Sequence, residues 1–277
     1  MINAKTETCT MLADQLDGLW TPEIQNRAYQ AIGLEEQYVF TASQIREDSL
    51  ENAVRAVRTL GIRGFSCTPG FVREVIAYLD QVEEVARRCG QVNAVVNDNG
   101  RLQGYNTTWL GCVIPIEIHM KLQGRKAAVL GTDELARMIA YGLQSKGADV
   151  TIYDRDTQAA ARLAHDTHCR SEVLSKESVR SQEIIINATP LGGISAENDI
   201  PVLPHYLDKH HLVFDTVAVP YETQFVKAAA SRGARVIHGI DLLLYQESSQ
   251  FELFTGIQAP IESMRQDLMD YFGMNPL

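Results

Sequence analysis

Hydrophobic and polar positions along the first hundred residues switch repeatedly between the two-residue period of a strand and the 3.6-residue period of a helix. Residues 8–13, 37–41 and 64–67 read as short strands. Leu50, Ala53, Val54, Val57 and Leu60 fall on one face of a helix over Leu50–Leu60. Thr21 followed by Pro22 predicts a helix over 22–32: the threonine hydroxyl caps it and proline tolerates the first position. Residues 72–79 and 82–89 also read as helices. Strands at 92–96 and 102–105 flank Asn97-Asp98-Asn99-Gly100, and Asn-Gly accepts the positive φ of a tight hairpin turn.

From about residue 126 the rhythm becomes regular. β-rich runs at 127–130, 150–153, 184–187, 213–216 and 236–238 alternate with helix patterns at 134–146, 157–165 and 222–232. Strands separated by helices of this length pair in parallel through right-handed crossovers, which predicts a doubly wound α/β domain. Two further helix patterns, 242–254 and 261–271, close the chain.

Composition acts mainly by exclusion. The apolar fraction of 45% and charged fraction of 22% are those of an ordinary folded protein. Twenty-five basic against 35 acidic side chains give 25 − 35 = −10, and no basic patch interrupts that charge, which argues against a nucleic-acid partner. No apolar run approaches the roughly 18 residues of a membrane span, and the first residues lack the apolar stretch of a secretory signal. Five cysteines, odd in number and without metal-ligand spacing, fit a reduced, cytoplasmic protein. His165, His168 and Cys169 lack a fourth ligand, so no metal site is expected. Neither a Gly-x-Ser-x-Gly nucleophile turn nor a phosphate-binding lysine loop is present.

The predicted strand at 127–130 ends in Gly131 and runs into a helix, where a nucleotide-binding fold places its glycine-rich turn. That turn reads Gly131-Thr132-Asp133-Glu134-Leu135-Ala136, with only its first glycine. A helix N-terminus attracts phosphate through its free N–H groups and partial positive charge. Here Thr132 is expected to cap those groups, and Asp133 and Glu134 to neutralise the charge. Each carboxylate within ~5 Å of a phosphate would cost about 1–3 kcal/mol, so NAD or NADP is expected to bind weakly or not at all. Asp154 points the other way. It follows Gly131 by 154 − 131 = 23 residues, near the usual distance for the acid that holds an adenosine ribose. In that role it favours NAD over NADP, although Arg155 beside it could meet a 2′-phosphate; a solvated turn at the strand end is the other reading.

Several motifs, taken in order, resemble the shikimate dehydrogenase family over essentially the whole chain. They are Gln91-Val92-Asn93-Ala94-Val95, Gly104-Tyr105-Asn106-Thr107 and Ile186-Asn187-Ala188-Thr189-Pro190-Leu191-Gly192, then Phe214-Asp215 with Pro220-Tyr221-Glu222-Thr223. Gln246 leading to Phe251-Glu252-Leu253-Phe254-Thr255-Gly256 completes the set. The resemblance implies an N-terminal α/β substrate domain, residues 1–105, completed by 240–277, and a Rossmann-like domain over 106–239. It implies a small-molecule ligand in a cleft between the domains, NAD(P)-dependent chemistry on 3-dehydroshikimate, shikimate or quinate, and a monomer or homodimer. Thr189, with Gly131, Thr132, Asp154 and Arg155, falls among the cofactor-binding positions.

The resemblance also places a lysine/aspartate dyad, and here the chain departs from it. The lysine position is Val72, in Ser66-Cys67-Thr68-Pro69-Gly70-Phe71-Val72, and the aspartate position after Asn106-Thr107 is Thr108. The Ser-x-Ser that holds the substrate carboxylate falls on Leu19-Trp20-Thr21. Thr21, Thr68, Asn93 and Gln246 are the substrate-binding candidates left. An isopropyl group cannot polarise a carbonyl or donate a proton to a developing alkoxide. Arg73, one position further along a predicted helix, would point about 100° away. Trp20 and Trp109 either line an altered pocket or fill space. The expectation is a shikimate dehydrogenase-like protein whose own dehydrogenase activity is very weak or lost and which binds another small molecule. The alternatives are a working NAD(P)-dependent dehydrogenase on a different hydroxy acid, and a protein that uses the scaffold as an interaction surface.

Overall fold

The alternating pattern of the first hundred residues folds as β1 (Glu7–Ala13), α1 (Thr21–Ala31), β2 (Tyr38–Gln44), α2 (Leu50–Leu60), β3 (Gly64–Cys67), β4 (Gln81–Val82), α3 (Glu84–Cys89), β5 (Ala94–Asp98) and β6 (Arg101–Tyr105) in a computed structural model that describes residues 2–274. The strands form one sheet in the order β2-β1-β3-β5-β6-β4. The first three run parallel, and the β5–β6 hairpin makes the middle antiparallel. Its turn is the one the Asn-Gly pair predicts, with Asn99 at φ 52° and Gly100 at φ 90°. The apolar stripe of α2 buries Leu50, Val54 and Val57 against Leu12, Phe65, Phe71, Val75, Val95 and Leu102.

Three local expectations need correction. Residues 72–79 do not form an α-helix; they make turns and a 3₁₀ segment, Glu74–Tyr78. The carbonyl of Val72, which an α-helix would give to Ile76, instead accepts from Val92 N–H at 2.8 Å, and the Tyr78 carbonyl accepts from Arg58. Arg73 therefore does not stand one helical step from Val72. The helix expected over 82–89 starts only at Glu84, because Val82 pairs with Gly104 in the sheet and the Glu83 side chain caps the helix. Thr21 does not cap α1: Trp20 holds the cap position, no side chain closes it, and the Thr21 hydroxyl is used elsewhere.

The second half builds α4 (Thr108–His119), β7 (Lys126–Leu130), α5 (Glu134–Ser145), β8 (Asp149–Tyr153), α6 (Thr157–Thr167), β9 (Arg170–Ser171), α7 (Lys176–Arg180), β10 (Ile184–Asn187), β11 (Leu212–Asp215), α8 (Gln224–Ser231) and β12 (Arg235–Ile237), followed by α9 (Gly239–Thr255) and α10 (Ile261–Tyr271). Its sheet is parallel throughout, in the order β12-β11-β10-β7-β8-β9. That is the doubly wound Rossmann order, with its reversal between β7 and β10. The sequence pattern missed α4. Its residues are apolar nearly all round, with Pro115 inside, so no amphipathic stripe marks it. Trp109 packs there on Gly142 of α5, where an added Cβ would lie 3.0 Å from the indole.

The chain divides into two compact units, Met1–Thr107 with Gln246–Leu277 and Thr108–Tyr245, and the division falls inside α9. The C-terminal half of α9 belongs to the first unit, where the Phe254 ring fills the space that a side chain at Gly64 on β3 would need. Trp20 meets Phe272 edge-on at 6.1 Å in the same unit. Both tryptophans thus pack within their own units. Among the described residues no helix is long and apolar enough to cross a membrane.

Candidate functional site

In the second unit, the strand order reverses at the C-terminal ends of β7 and β10, which is where an open parallel sheet presents its ligand crevice. A cavity of about 550 Å³ opens there, lined by Gly131, Tyr153, Asp154, Arg155, Thr189 and Leu191 among others. Gly131 has φ 115°, and a Cβ on it would stand 3.1 Å from the Ala188 carbonyl and the Thr189 methyl, so this approach of two loops requires glycine.

The N-terminus of α5 is capped from within. Asp133, rather than Thr132, is its cap, accepting from Ala136 N–H at 3.0 Å, and Glu134 adds a second carboxylate to the first turn. Thr132 instead donates to Asp154 Oδ2 at 3.1 Å, while Asp154 Oδ1 accepts from Asp156 N–H at 2.9 Å. The predicted cofactor residues Gly131, Asp154, Arg155 and Thr189 are therefore brought together around one cavity, with Thr132 fixing Asp154 from behind. Leu130, Val173, Leu174 and Pro201 add apolar side chains to the lining of that cavity.

A buried polar network holds the loops at this edge. Asn187 donates to Asp215 Oδ1 at 2.9 Å and to the Leu191 carbonyl at 3.1 Å, and its Oδ1 accepts from the Thr189 hydroxyl at 2.6 Å. Asp215 also accepts from the Thr223 hydroxyl at 2.5 Å. It is fully buried, and desolvation pushes its carboxyl above the usual range. The Asn-Ala-Thr-Pro-Leu-Gly and Phe-Asp motifs thus serve as architecture, tying two strand ends and a helix start together.

The candidate substrate residues lie in the first unit. Thr21 and Gln246 both hydrogen-bond the carboxylate of Glu247 on α9, Thr21 Oγ1 donating to Oε1 at 3.4 Å. Gln25 Nε2 donates to Oε2 at 3.0 Å. Glu247 is 1% exposed, and burial pushes its carboxyl up to about 7. Thr68 Oγ1 donates to a second carboxylate, Asp14, at 3.0 Å. Asn93 Oδ1 accepts from the Thr107 N–H at 2.7 Å, and Gln250 Nε2 donates to the Thr107 hydroxyl at 3.2 Å. Each candidate has a partner inside the protein. Val72 is half-buried and packs against the apolar cluster of Phe71, Val75 and Val92. Thr108 is the first residue of α4, in the second unit.

Residues 11–95 match the shikimate dehydrogenase substrate binding domain. A shikimate dehydrogenase (NADP⁺) of Carboxydothermus hydrogenoformans is 31% identical over 274 residues, covering 96% of this chain and 97% of that protein. This chain belongs to the shikimate dehydrogenase family. Among solved structures, a shikimate dehydrogenase in complex with NADP⁺ aligns with a TM-score of 0.85 at 26% identity, over 100% of this chain and 98% of the other. The ligand-free 5-ketofructose reductase of Gluconobacter sp. strain CHM43 aligns with a TM-score of 0.88 at 25% identity, over 97% and 99%.

Sequence reasoning missed Glu247, Gln25 and Asp14. Glu247 carried a signal: with Leu244, Phe251 and Phe254 it falls on one stripe of α9, and those three neighbours are fully buried. A glutamate in such a stripe needs partners. Gln25 and Asp14 carried none, since their role depends on which elements meet in space.

Proposed function

We propose that this member keeps the shikimate dehydrogenase scaffold, has very weak or no shikimate dehydrogenase activity, and binds a different small molecule. The observation that carries the reading is Val72. Where the family resemblance puts an ammonium, a half-buried isopropyl group packs against the apolar cluster of the first unit. Reduction of a ketone by hydride needs a proton donor or electrostatic stabilisation at the developing alkoxide, and losing positioned acid catalysis costs about 10²–10⁴-fold. Thr108, at the aspartate position, has no carboxylate to orient a lysine.

A nicotinamide dinucleotide fits this chain in part. Gly131, Asp154 and the apolar wall of the cavity suit an adenosine, with Asp154 placed to accept from ribose hydroxyls, which favours NAD over NADP. The α5 N-terminus does not suit the diphosphate, because Asp133 already takes one of its free N–H groups, that of Ala136, and brings its own charge. The dinucleotide therefore binds weakly. The test is steady-state turnover of the unmodified protein with shikimate or quinate and millimolar NAD or NADP. Rates below about 10⁻² s⁻¹ are expected, and an ordinary dehydrogenase rate above about 1 s⁻¹ would contradict the reading.

A second reading has support from the same cavity and from the ketofructose reductase neighbour, whose name denotes a neutral sugar substrate. On it, the chain is an active NAD(P)-dependent reductase of another hydroxy compound. Absence of any melting shift with either dinucleotide at millimolar concentration would sink this alternative.

A further inference from the structure

We propose that Glu247 determines specificity in the first unit: its carboxylate takes the place of a ligand carboxylate, so the unit accepts a neutral, hydroxyl-bearing compound and rejects an anionic one. This rests on the reading of Thr21 and Gln246 as substrate-facing positions, and it names the ligand class for that same site.

Three observations converge on Glu247. First, the hydroxyl of Thr21, which the resemblance assigns to a substrate carboxylate, donates to the Glu247 carboxylate instead. Second, Gln246, the other candidate on this side, hydrogen-bonds the same group. Third, its partners Thr21, Gln25 and Gln246 are neutral, so its charge is shared out rather than cancelled. The seat itself is one a carboxylate favours. Thr21 is the first residue of α1, whose N-terminal end carries partial positive charge, and no side chain caps that end. The buried Glu247 carboxylate from α9 meets this end through the Thr21 hydroxyl.

The consequence for a ligand is electrostatic. Its carboxylate would have to share the Thr21 hydroxyl with Glu247, which puts two like charges about 5 Å apart in a poorly hydrated place. At an effective dielectric near 20 that separation weakens binding ten- to hundredfold or more. Hydroxyl groups meet no such repulsion, because an O–H can donate to a carboxylate.

The probe pair is shikimate and its neutral methyl ester, titrated calorimetrically at pH 8, where Glu247 is ionised, with no dinucleotide present. The intact protein is expected to bind the ester at least tenfold more tightly than the acid. Glu247→Gln keeps the volume, with its carbonyl oxygen still accepting from Gln25 and its amide able to donate to the Thr21 hydroxyl, and should bring the two affinities within about threefold. Equal affinities in the intact protein, a preference for the acid, an unchanged ratio in the variant, or no binding of either compound to either protein would each overturn the proposal. The ratio in the intact protein stands even if the variant fails to fold. Because no turnover is read, detectable dehydrogenase activity would sink the catalytic reading and leave this ratio untouched.

Discussion

The two units use their family motifs in opposite ways. In the second, Asn187, Asp215 and Thr223 bond to one another, and the loops around Gly131 and Thr189 stay open around a cavity. In the first, Thr21, Gln246 and Thr68 donate to carboxylates of the protein itself, Glu247 and Asp14. A motif residue thus tells where a backbone goes more dependably than what its side chain touches. Backbone placement depends on a few short, saturated contacts, whereas a ligand contact is lost as soon as an internal acceptor comes within reach.

The largest expected effect comes from reversing the first unit's state. Val72→Lys with Thr108→Asp should stay near background turnover with shikimate while Glu247 holds the seat. Adding Glu247→Gln should raise the rate at least about a hundredfold at millimolar NAD, the lower end of what positioned acid catalysis supplies. A double variant as fast as the triple one would show that Glu247 excludes nothing.

On the other side of the comparison, Asp215→Ala should destabilise the protein by about 4 kcal/mol, because it strands Asn187 and Thr223 in a buried site. Denaturant unfolding measures this. A loss under about 1 kcal/mol would mean that the motif is not the scaffold described.

Glu247 makes a pH-dependent contribution of somewhat smaller size. Its carboxyl is raised from 4.5 to about 7 in the folded protein, so it contributes stability fully below about pH 4.5 and loses it as pH rises towards 7. Glu247→Gln removes that dependence. Relative to the unmodified chain, the variant should gain about 3 kcal/mol between pH 4 and pH 8, read from unfolding midpoints at each pH. A pH-independent difference would contradict a buried, uncompensated carboxylate. The smallest effect is at the other unit's entrance: Asp133→Asn keeps a capping side chain while removing one charge, and should tighten NAD about tenfold.

Much of this was legible in the chain. Gly64–Cys67, Leu50–Leu60, Ile184–Asn187 and Ile261–Tyr271 fold as their patterns predict, and the Asn99-Gly100 turn forms as expected. That Gly131 and Asp154 line one cavity was findable because strand ends and turn chemistry are local, while Thr189 came from the family resemblance. What escaped was non-local. Val72 leaves the helical pattern because Val92 takes its carbonyl, and α4 has no polar face to give it away. Thr21 was read as a cap because its partner lies 226 residues away in sequence, on α9.

The most direct test is a crystal structure of the unmodified protein grown with saturating shikimate and NAD. Thr21 and Gln246 should still be bonded to Glu247, with Val72 packed in its apolar cluster and no shikimate between them. Shikimate held through its carboxylate by Thr21, with Glu247 displaced and a cationic side chain over the ring, would contradict the account.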